Sequence, residues 1–297
     1  MFIGWSIYLV EWAKLKFSHP GGDIIGKRSI ETHIQGFEAM GFEFKREDRD
    51  YQGKRVEDEG KEEIFLDEPS VTATENLILA ASYGKGKVTL KNCAMEPHVV
   101  DLCNLLVKMG VGIEGIGSPT LKISATTEFD EAEFAIGTEY LEIGTYAVAA
   151  AVTGGEITLT NTSLKDLEPL YLPLQKMGIK FDQTKDGIVV SGEDLTAIHR
   201  LHVRPWPGFP TDLMSMTIVL ATQSKGISLL HDWMYESRMF FTDKLMSMGA
   251  NIVIADPHRV IVYGPSQLWG REMETPDIRA GMGIGVGSFM CQGAKCD

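Results

Sequence analysis

The stretch "CNLLVKMGVGIEG", Cys103 to Gly115, carries the decision about the fold. Its first half has helical spacing of apolar residues, a Met-Gly step ends it, and alternating residues follow at once. A glycine after the last helical turn supplies a left-handed cap, and a strand can then fold back onto the helix. The same pattern occurs in "IQGFEAMGFEFK", "LPLQKMGIKFDQ" and "DKLMSMGANIVIA". The four steps are Met40-Gly41, Met109-Gly110, Met177-Gly178 and Met248-Gly249, so the intervals are 69, 68 and 71 residues.

A second series keeps the same period. "ENLILAASYGKGKVTLKN", "GTYAVAAAVTGGEITLTN" and "DLMSMTIVLATQSKGISLLHD" each predict a helix, a glycine turn and an alternating strand, and Gly86, Gly155 and Gly226 align at steps of 69 and 71. At the front, "LKFSHPGG" falls in register with "GKVTLKN"; at the back, "RAGMGIGVGSFMCQGAKCD" fits a helix that stops at a turn around Gly293. Units of this kind stack to bury one another's apolar faces. The chain opens and closes mid-unit, as a piece of a longer array would, or as an intact protein with degenerate terminal units would.

The bulk properties narrow the function classes. The 297 residues suit two domains. Apolar runs such as "LILAAS" and "YAVAAAV" fall far short of the roughly 20 residues that cross a bilayer, so no membrane association is expected. The opening "MFIGWSIYLVEWAKLKF" lacks a basic start and a cleavage site and is interrupted by Glu11, which predicts a core element rather than a signal peptide. Four cysteines without CxxC spacing (Cys93, Cys103, Cys291, Cys296) predict reduced thiols in a cytoplasmic protein and no zinc site. A net charge of −13 argues against nucleic-acid partners, although a few convergent cations can still bind a small anion.

Chemistry is expected where loops interrupt the repeat. The stretches are "GGDIIGKRSIET" (21–32), "EPSVTATEN" (68–76), "RPWPGFPTDLMS" (204–215), "MYESRMFF" (234–241) and, more weakly, "TPDIRAG" (275–281). Ser70, Thr72, Thr74 and Thr211 are candidate helix caps, and helix N-termini are natural anion sites. Asp212, after the proline-stiffened "WPGFPT", is either a cap or a base. Arg238 and Arg279 follow Glu236 and Asp277 by two residues, so local surface ion pairs are the default expectation. "GMGIGVG" (281–287) does not match GxGxxG and has no preceding strand; by register it lies in a helix. His19 and His33 lack metal-ligand spacing and are expected to be structural or surface residues, so neither metal nor cofactor is predicted.

Taken together, "PGGDIIGKRSIETHIQGFEAMG", "PSVTATEN", "EPHVVDL", "LEIGTYAVAAA", "PGFPTD", "YESRMF" and "PDIRAG" resemble the enolpyruvyl transferases, in order and spacing along almost the whole chain. "PGGDIIGKRS" and "PGFPTD" point away from the branch acting on shikimate 3-phosphate and towards the branch acting on UDP-N-acetylglucosamine. The resemblance implies an α/β fold of two domains, each an inside-out barrel of three repeats with helices within and sheets outside. It implies domains at 1–137 and 138–297, crossing over near Gly137–Tyr140, with about one unit absent at the front and half a unit at the back.

The implied activity is transfer of the enolpyruvyl group of phosphoenolpyruvate to the 3-hydroxyl of UDP-N-acetylglucosamine, releasing phosphate, for peptidoglycan precursors. The alternative is a non-catalytic fragment that at most binds the nucleotide sugar, since the absent ends would carry further site cations. By motif, Asp23 stands where the general acid stands, a position most members fill with Cys. Arg28 matches a phosphate-binding cation, and Arg28, Ser29, Ile30, Glu31 and Thr32 match a segment contacting the UDP-sugar. Glu68, Pro69, Ser70 and Val71 match a second such segment, in which the family often has Lys at the position of Glu68. Asp212 matches the proposed base beside the 3-hydroxyl, Met234 a uridine-sugar contact, and Arg238 and Arg279 site arginines. An acid and a base of one residue type can divide the work only if their environments separate them, so Asp23 has to be held protonated and Asp212 ionised. A carboxyl in place of a thiolate further implies insensitivity to fosfomycin, an epoxide that alkylates the family's Cys.

Overall fold

A computed structural model describes residues 14–19, 21–23, 25–26, 29–56, 60–165, 167–275 and 277–291. Most of the opening apolar segment, Arg28, Cys296 and the turn at Gly293 therefore lie outside the described residues. The described residues fall into two compact units, one within Met1–Gly22 and Arg28–Gly137, the other within Asp23–Lys27 and Thr138–Asp297.

The first unit runs β1 (Lys14–Ser18), α1 (Glu31–Ala39), β2 (Phe42–Glu47), β3 (Asp50–Arg55), β4 (Glu63–Phe65), α2 (Val71–Ser82), β5 (Lys87–Lys91), α3 (Pro97–Lys108), β6 (Gly112–Glu114) and β7 (Thr120–Ser124). The second runs α4 (Tyr140–Thr153), β8 (Glu156–Thr160), α5 (Glu168–Gln175), β9 (Ile179–Gln183), β10 (Gly187–Gly192), β11 (Arg200–His202), α6 (Met214–Gln223), β12 (Gly226–His231), α7 (Thr242–Ser247), β13 (Asn251–Asp256), β14 (Arg259–Gly264) and α8 (Ile278–Ser288). Short 3-10 turns at Thr211–Leu213 and Arg238–Phe241 precede α6 and α7.

The sheet orders make the repeat visible. They are β1-β3-β2, β4-β5-β7-β6, β8-β10-β9 and β11-β12-β14-β13. In each, the opening strand of the unit (β1, β5, β8 or β12) pairs antiparallel with its last strand (β3, β7, β10 or β14), which pairs antiparallel with the middle one. β1 takes the place that β5 takes in its own sheet, as the register of "LKFSHPGG" predicts. Two sheets add a parallel edge strand, β4 on β5 and β11 on β12, each joined by a crossover helix.

The two helix series do different jobs. Of the second series, α6 buries every residue from Met214 to Thr222, and α2 buries all but one from Ala73 to Ser82. A helix buried all round belongs at the centre of a core. α3, of the first series, buries one stripe, Val99, Cys103 and Leu106, and leaves the rest partly or fully exposed. The core of the first unit gathers Phe37, Leu77, Ile78, Leu90, Leu121 and Ile123; that of the second gathers Ile143, Leu170, Leu174, Ile218, Leu220 and Val260. Burying each such side chain contributes about 1.5–3 kcal/mol.

The Met-Gly steps adopt the predicted backbone: φ is +90° at Gly41, +96° at Gly110, +96° at Gly178 and +108° at Gly249. In the second series Gly154 (φ +67°) caps α4, and Gly155 immediately precedes β8 as Gly86 precedes β5. Cys93 and Cys103 are buried free thiols, and burial pushes them up to about 12 and about 11, as inert small hydrophobes. "GMGIGVG" lies within α8, and Gly283 among its glycines has a packing role: a Cβ there would meet Ser215 of α6 at 3.3 Å. Among the described residues no helix is long and apolar enough to cross a membrane.

Two alanine substitutions separate required glycines from tolerant ones. A Cβ on Gly178 would lie 2.6 Å from the carbonyl oxygen of Glu193 and would force an L residue into positive φ. Gly285, inside α8, has open space around its missing Cβ. Gly178→Ala is expected to destabilise the chain by about 2 kcal/mol or more, and Gly285→Ala to stabilise it by up to about 1 kcal/mol. Urea denaturation midpoints check both.

Candidate functional site

In the first unit, the segments "SIET" and "EPSV" converge at the starts of α1 and α2. Ile30 is buried and anchors the first turn of α1, while Ser29 stays exposed and accepts the backbone N–H of Glu31 at 3.1 Å. The Thr32 hydroxyl donates to Asp67 Oδ1 at 2.6 Å, with Glu68 Oε1 at 3.3 Å. One hydroxyl has one proton, so Asp67 takes the main bond. Pro69 leads into the cap: Ser70, and neither Thr72 nor Thr74, caps α2, its Oγ accepting from the Ala73 N–H at 3.4 Å, and Val71 is the first helical residue. Thr74 accepts from the Ala94 N–H at 3.0 Å.

Behind Thr32 lies a polar network. His33 is buried, with Nε2 3.1 Å from the Thr72 hydroxyl and Nδ1 3.0 Å from the Asn76 amide nitrogen. It ties α1 to α2 directly beneath the two predicted sugar-nucleotide segments. Burial lowers its pKa from 6.5 to about 4, so the ring is neutral near pH 7. Neither Asp67 nor this network is recognisable from the sequence; only the adjacency of His33 to Thr32 and of Asp67 to Glu68 hints at them.

The second unit holds the charged cluster. Asp212 sits in the 3-10 turn before α6, with its side chain 36% exposed. Arg238, only 3% exposed, donates from Nη2 to Asp212 Oδ1 at 2.9 Å. Arg279, in the first turn of α8, brings Nη2 to 3.5 Å from Asp212 Oδ2. The expected local pairs of these arginines with Glu236 and Asp277 give way to a shared partner far away in sequence. Asp277 instead caps α8, accepting from the Ala280 N–H at 2.8 Å, and Ser215 donates to the Arg279 carbonyl at 2.8 Å, which fixes α8 against α6. The Arg238 guanidinium stacks over Tyr235, 5.0 Å from the ring centre, and its buried Nε has no hydrogen-bond partner among the described residues.

Beneath Asp212 lies a second carboxylate, which the sequence reading missed. Asp232 is fully buried at the end of β12; it accepts the Thr211 hydroxyl through Oδ2 and the Met234 backbone N–H through Oδ1 at 3.0 Å. Thr211 is thus a donor to Asp232 and not a helix cap. Burial raises the Asp232 pKa, against the pull of the Thr211 bond, the Arg238 charge and the amides of Met234 and Tyr235.

The glycine-rich loop docks on the segment that precedes Arg238. The Ile25 carbonyl accepts the Ser237 N–H at 2.9 Å, and Ile25 is buried. Gly26 has φ +137°, and a Cβ there would collide with the Glu236 carboxylate. Asp23 stands at the head of this docked loop, half-buried, its carbonyl accepting from the Ile25 N–H at 3.0 Å. Among the described residues no group of three or more His, Cys, Asp or Glu side chains could hold a metal ion.

Solved structures give the class. The enolpyruvyl transferase NikO from Streptomyces tendae superposes with a TM-score of 0.82 over 97% of this chain and 68% of its own, at 16% identity. An EPSP synthase from Acinetobacter baumannii follows with a TM-score of 0.71 over 99% of this chain and 71% of its own, at 15% identity. The fold is therefore the α/β repeat fold of these transferases. Residues 8–295 match the family model described as EPSP synthase (3-phosphoshikimate 1-carboxyvinyltransferase). Two curated relatives named UDP-N-acetylglucosamine 1-carboxyvinyltransferase, from Borreliella burgdorferi and Treponema denticola, are each 40% identical over 96% of this chain. The chain spans 69% and 68% of their respective lengths. The chain belongs to the enolpyruvyl transferase family.

His33 makes the stability of the first unit depend on pH in a defined direction. Its folded pKa lies below the ordinary 6.5, so between 6.5 and about 4 the unfolded chain binds a proton that the folded chain refuses. Stability is complete above 6.5 and is lost as the pH falls towards 4, by about 2 kcal/mol at pH 5 from this group alone. Urea unfolding at pH 7 and pH 5 is expected to show a loss smaller by that amount in His33→Gln, whose side chain does not titrate.

Proposed function

We propose that this chain transfers the enolpyruvyl group of phosphoenolpyruvate to the 3-hydroxyl of UDP-N-acetylglucosamine with release of phosphate, for peptidoglycan precursor synthesis. The observation that carries this reading is Asp212, a partly exposed carboxylate gripped by a buried and a half-buried arginine, in a chain 40% identical to curated carboxyvinyltransferases. Addition of an alcohol to the enol phosphate needs one proton removed from the attacking hydroxyl and one delivered to the methylene carbon, and the adduct then loses phosphate together with a proton from that carbon to give the enol ether product. Asp212 is the base. Arg238 and Arg279 hold both its oxygens in place, and their remaining N–H groups are suited to anionic oxygens of the substrates.

Asp23 is the acid. Its loop is anchored by Ile25 and Gly26 on the Glu236–Ser237 segment, so the carboxyl and Arg238 are carried by segments that touch. In the first unit, Thr32, Ser70 and Val71, at the starts of two helices, offer backbone and hydroxyl groups to the nucleotide sugar, with Ser29, Ile30, Glu31, Glu68 and Pro69 shaping the same surface. In the second unit, the resemblance makes Met234 a uridine-sugar contact. Glu68 and Asp67 make this surface more acidic than a Lys at position 68 would.

Phosphate release from the two substrates tests the reading. Turnover by the chain that falls about 100-fold or more in Asp212→Asn, and comparably in Asp23→Asn, supports the assignment. Binding of UDP-N-acetylglucosamine without turnover would make the chain a nucleotide-sugar binder instead. Fosfomycin probes position 23 separately. Intact mass measurement is expected to show no adduct on the chain and a single adduct on Asp23→Cys, because a thiolate opens the epoxide and a carboxylate does so poorly. A drug adduct on Asp23 itself would sink that assignment.

A further inference from the structure

Asp232 touches none of the surfaces at which a substrate could arrive, yet it is the most completely satisfied carboxyl near the charged cluster. It has no exposed surface, and its two oxygens hold two different segments. Oδ2 takes the hydroxyl of Thr211, the residue next to Asp212, and Oδ1 takes the backbone N–H of Met234 at 3.0 Å. Its own backbone is pinned too: its N–H donates to the His258 carbonyl at 2.8 Å, and its carbonyl lies 2.8 Å from His258 Nδ1. Arg238, which grips Asp212 directly, sits close enough to Asp232 for their charges to interact.

We infer that Asp232 is a positioning residue, a buried brace that sets the place of the base Asp212 through Thr211 and the place of the Met234 backbone through its N–H. The inference rests on the proposed function for what is positioned, and on the hydrogen bonds alone for the brace. A buried carboxyl costs several kcal/mol unless its oxygens are occupied, and here the occupants are the two segments that carry Asp212 and Met234. Losing the Thr211 bond removes the side-chain anchor on the N-terminal side of Asp212 and leaves the turn held by its backbone bonds and the buried Leu213, so the carboxylate gains freedom to shift; a misplacement of about 1 Å costs about 100-fold in rate.

The test uses the isosteric pair Thr211→Val and Thr211→Ser in the full chain, with Asp232→Asn as a second probe. Valine keeps the shape of threonine and removes the donor, whereas serine keeps the donor. Thr211→Val is expected to lower kcat about 10- to 100-fold with KM for UDP-N-acetylglucosamine within about threefold of the parent, and Thr211→Ser to restore most of the loss. Asp232→Asn, which retains one carbonyl acceptor but weakens the Met234 bond, is expected to raise that KM as well. Equal kcat in Thr211→Val and the parent would overturn the brace.

Amide hydrogen exchange decides the matter without turnover. The Met234 amide should lose about 10-fold or more of its protection in Asp232→Asn, and the amides at the start of α6 should lose protection in Thr211→Val but not in Thr211→Ser. Unchanged exchange in both Asp232→Asn and Thr211→Val overturns the brace whatever the enzyme does. Changed exchange in a chain that shows no turnover upholds the brace and defeats the functional reading instead.

Discussion

The positive φ of one glycine after each outward-facing helix is the constraint on which the architecture depends. At Gly41, Gly110, Gly178 and Gly249 the chain leaves a helix in a conformation that a Cβ would strain, and a strand returns at once along the helix it has left. The following hairpin and the strand of the preceding helix then have one way to pair, which is why four sheets share one order of strands. The helices of the second series, α2, α4 and α6, are left to fill the centre of their units, and most of their residues are buried for that reason.

The functional chemistry is layered on this frame by a second constraint, the burial of Arg238. A guanidinium that is 3% exposed has to be paired, and its partner is Asp212, with the ring of Tyr235 against its face. The pairing draws the turn before α6 and the turn before α7 together, and the first turn of α8 joins them through Arg279. Asp232 lies beneath as a neutralising and hydrogen-bonding layer. A chain of net charge −13 thus brings two arginines together at one carboxylate, an arrangement that suits small anionic groups.

Much of this was legible in the residues. The period, the helix-to-strand reversal, the Ser70 cap, the helical place of the glycine run at 281–287 and the front strand's register all follow from local patterns of about ten residues. The pairing of Arg238 and Arg279 with Asp212 does not. Each arginine has an acid two residues before it, and sequence distance favours that neighbour; only the fold reveals that Asp277 is occupied with capping α8 and that Asp212 is the shared partner. Asp232 and the His33–Thr72–Asn76 network were invisible for a related reason. A buried polar group is defined by partners from other elements, and no spacing rule records them.

The central claim is that the acceptor sugar is presented to Asp212. A crystal structure of the chain with UDP-N-acetylglucosamine bound measures this directly. The oxygen of the sugar 3-hydroxyl is expected within about 3 Å of a carboxylate oxygen of Asp212. A bound sugar whose hydroxyls all lie beyond hydrogen-bond reach of Asp212 would contradict it.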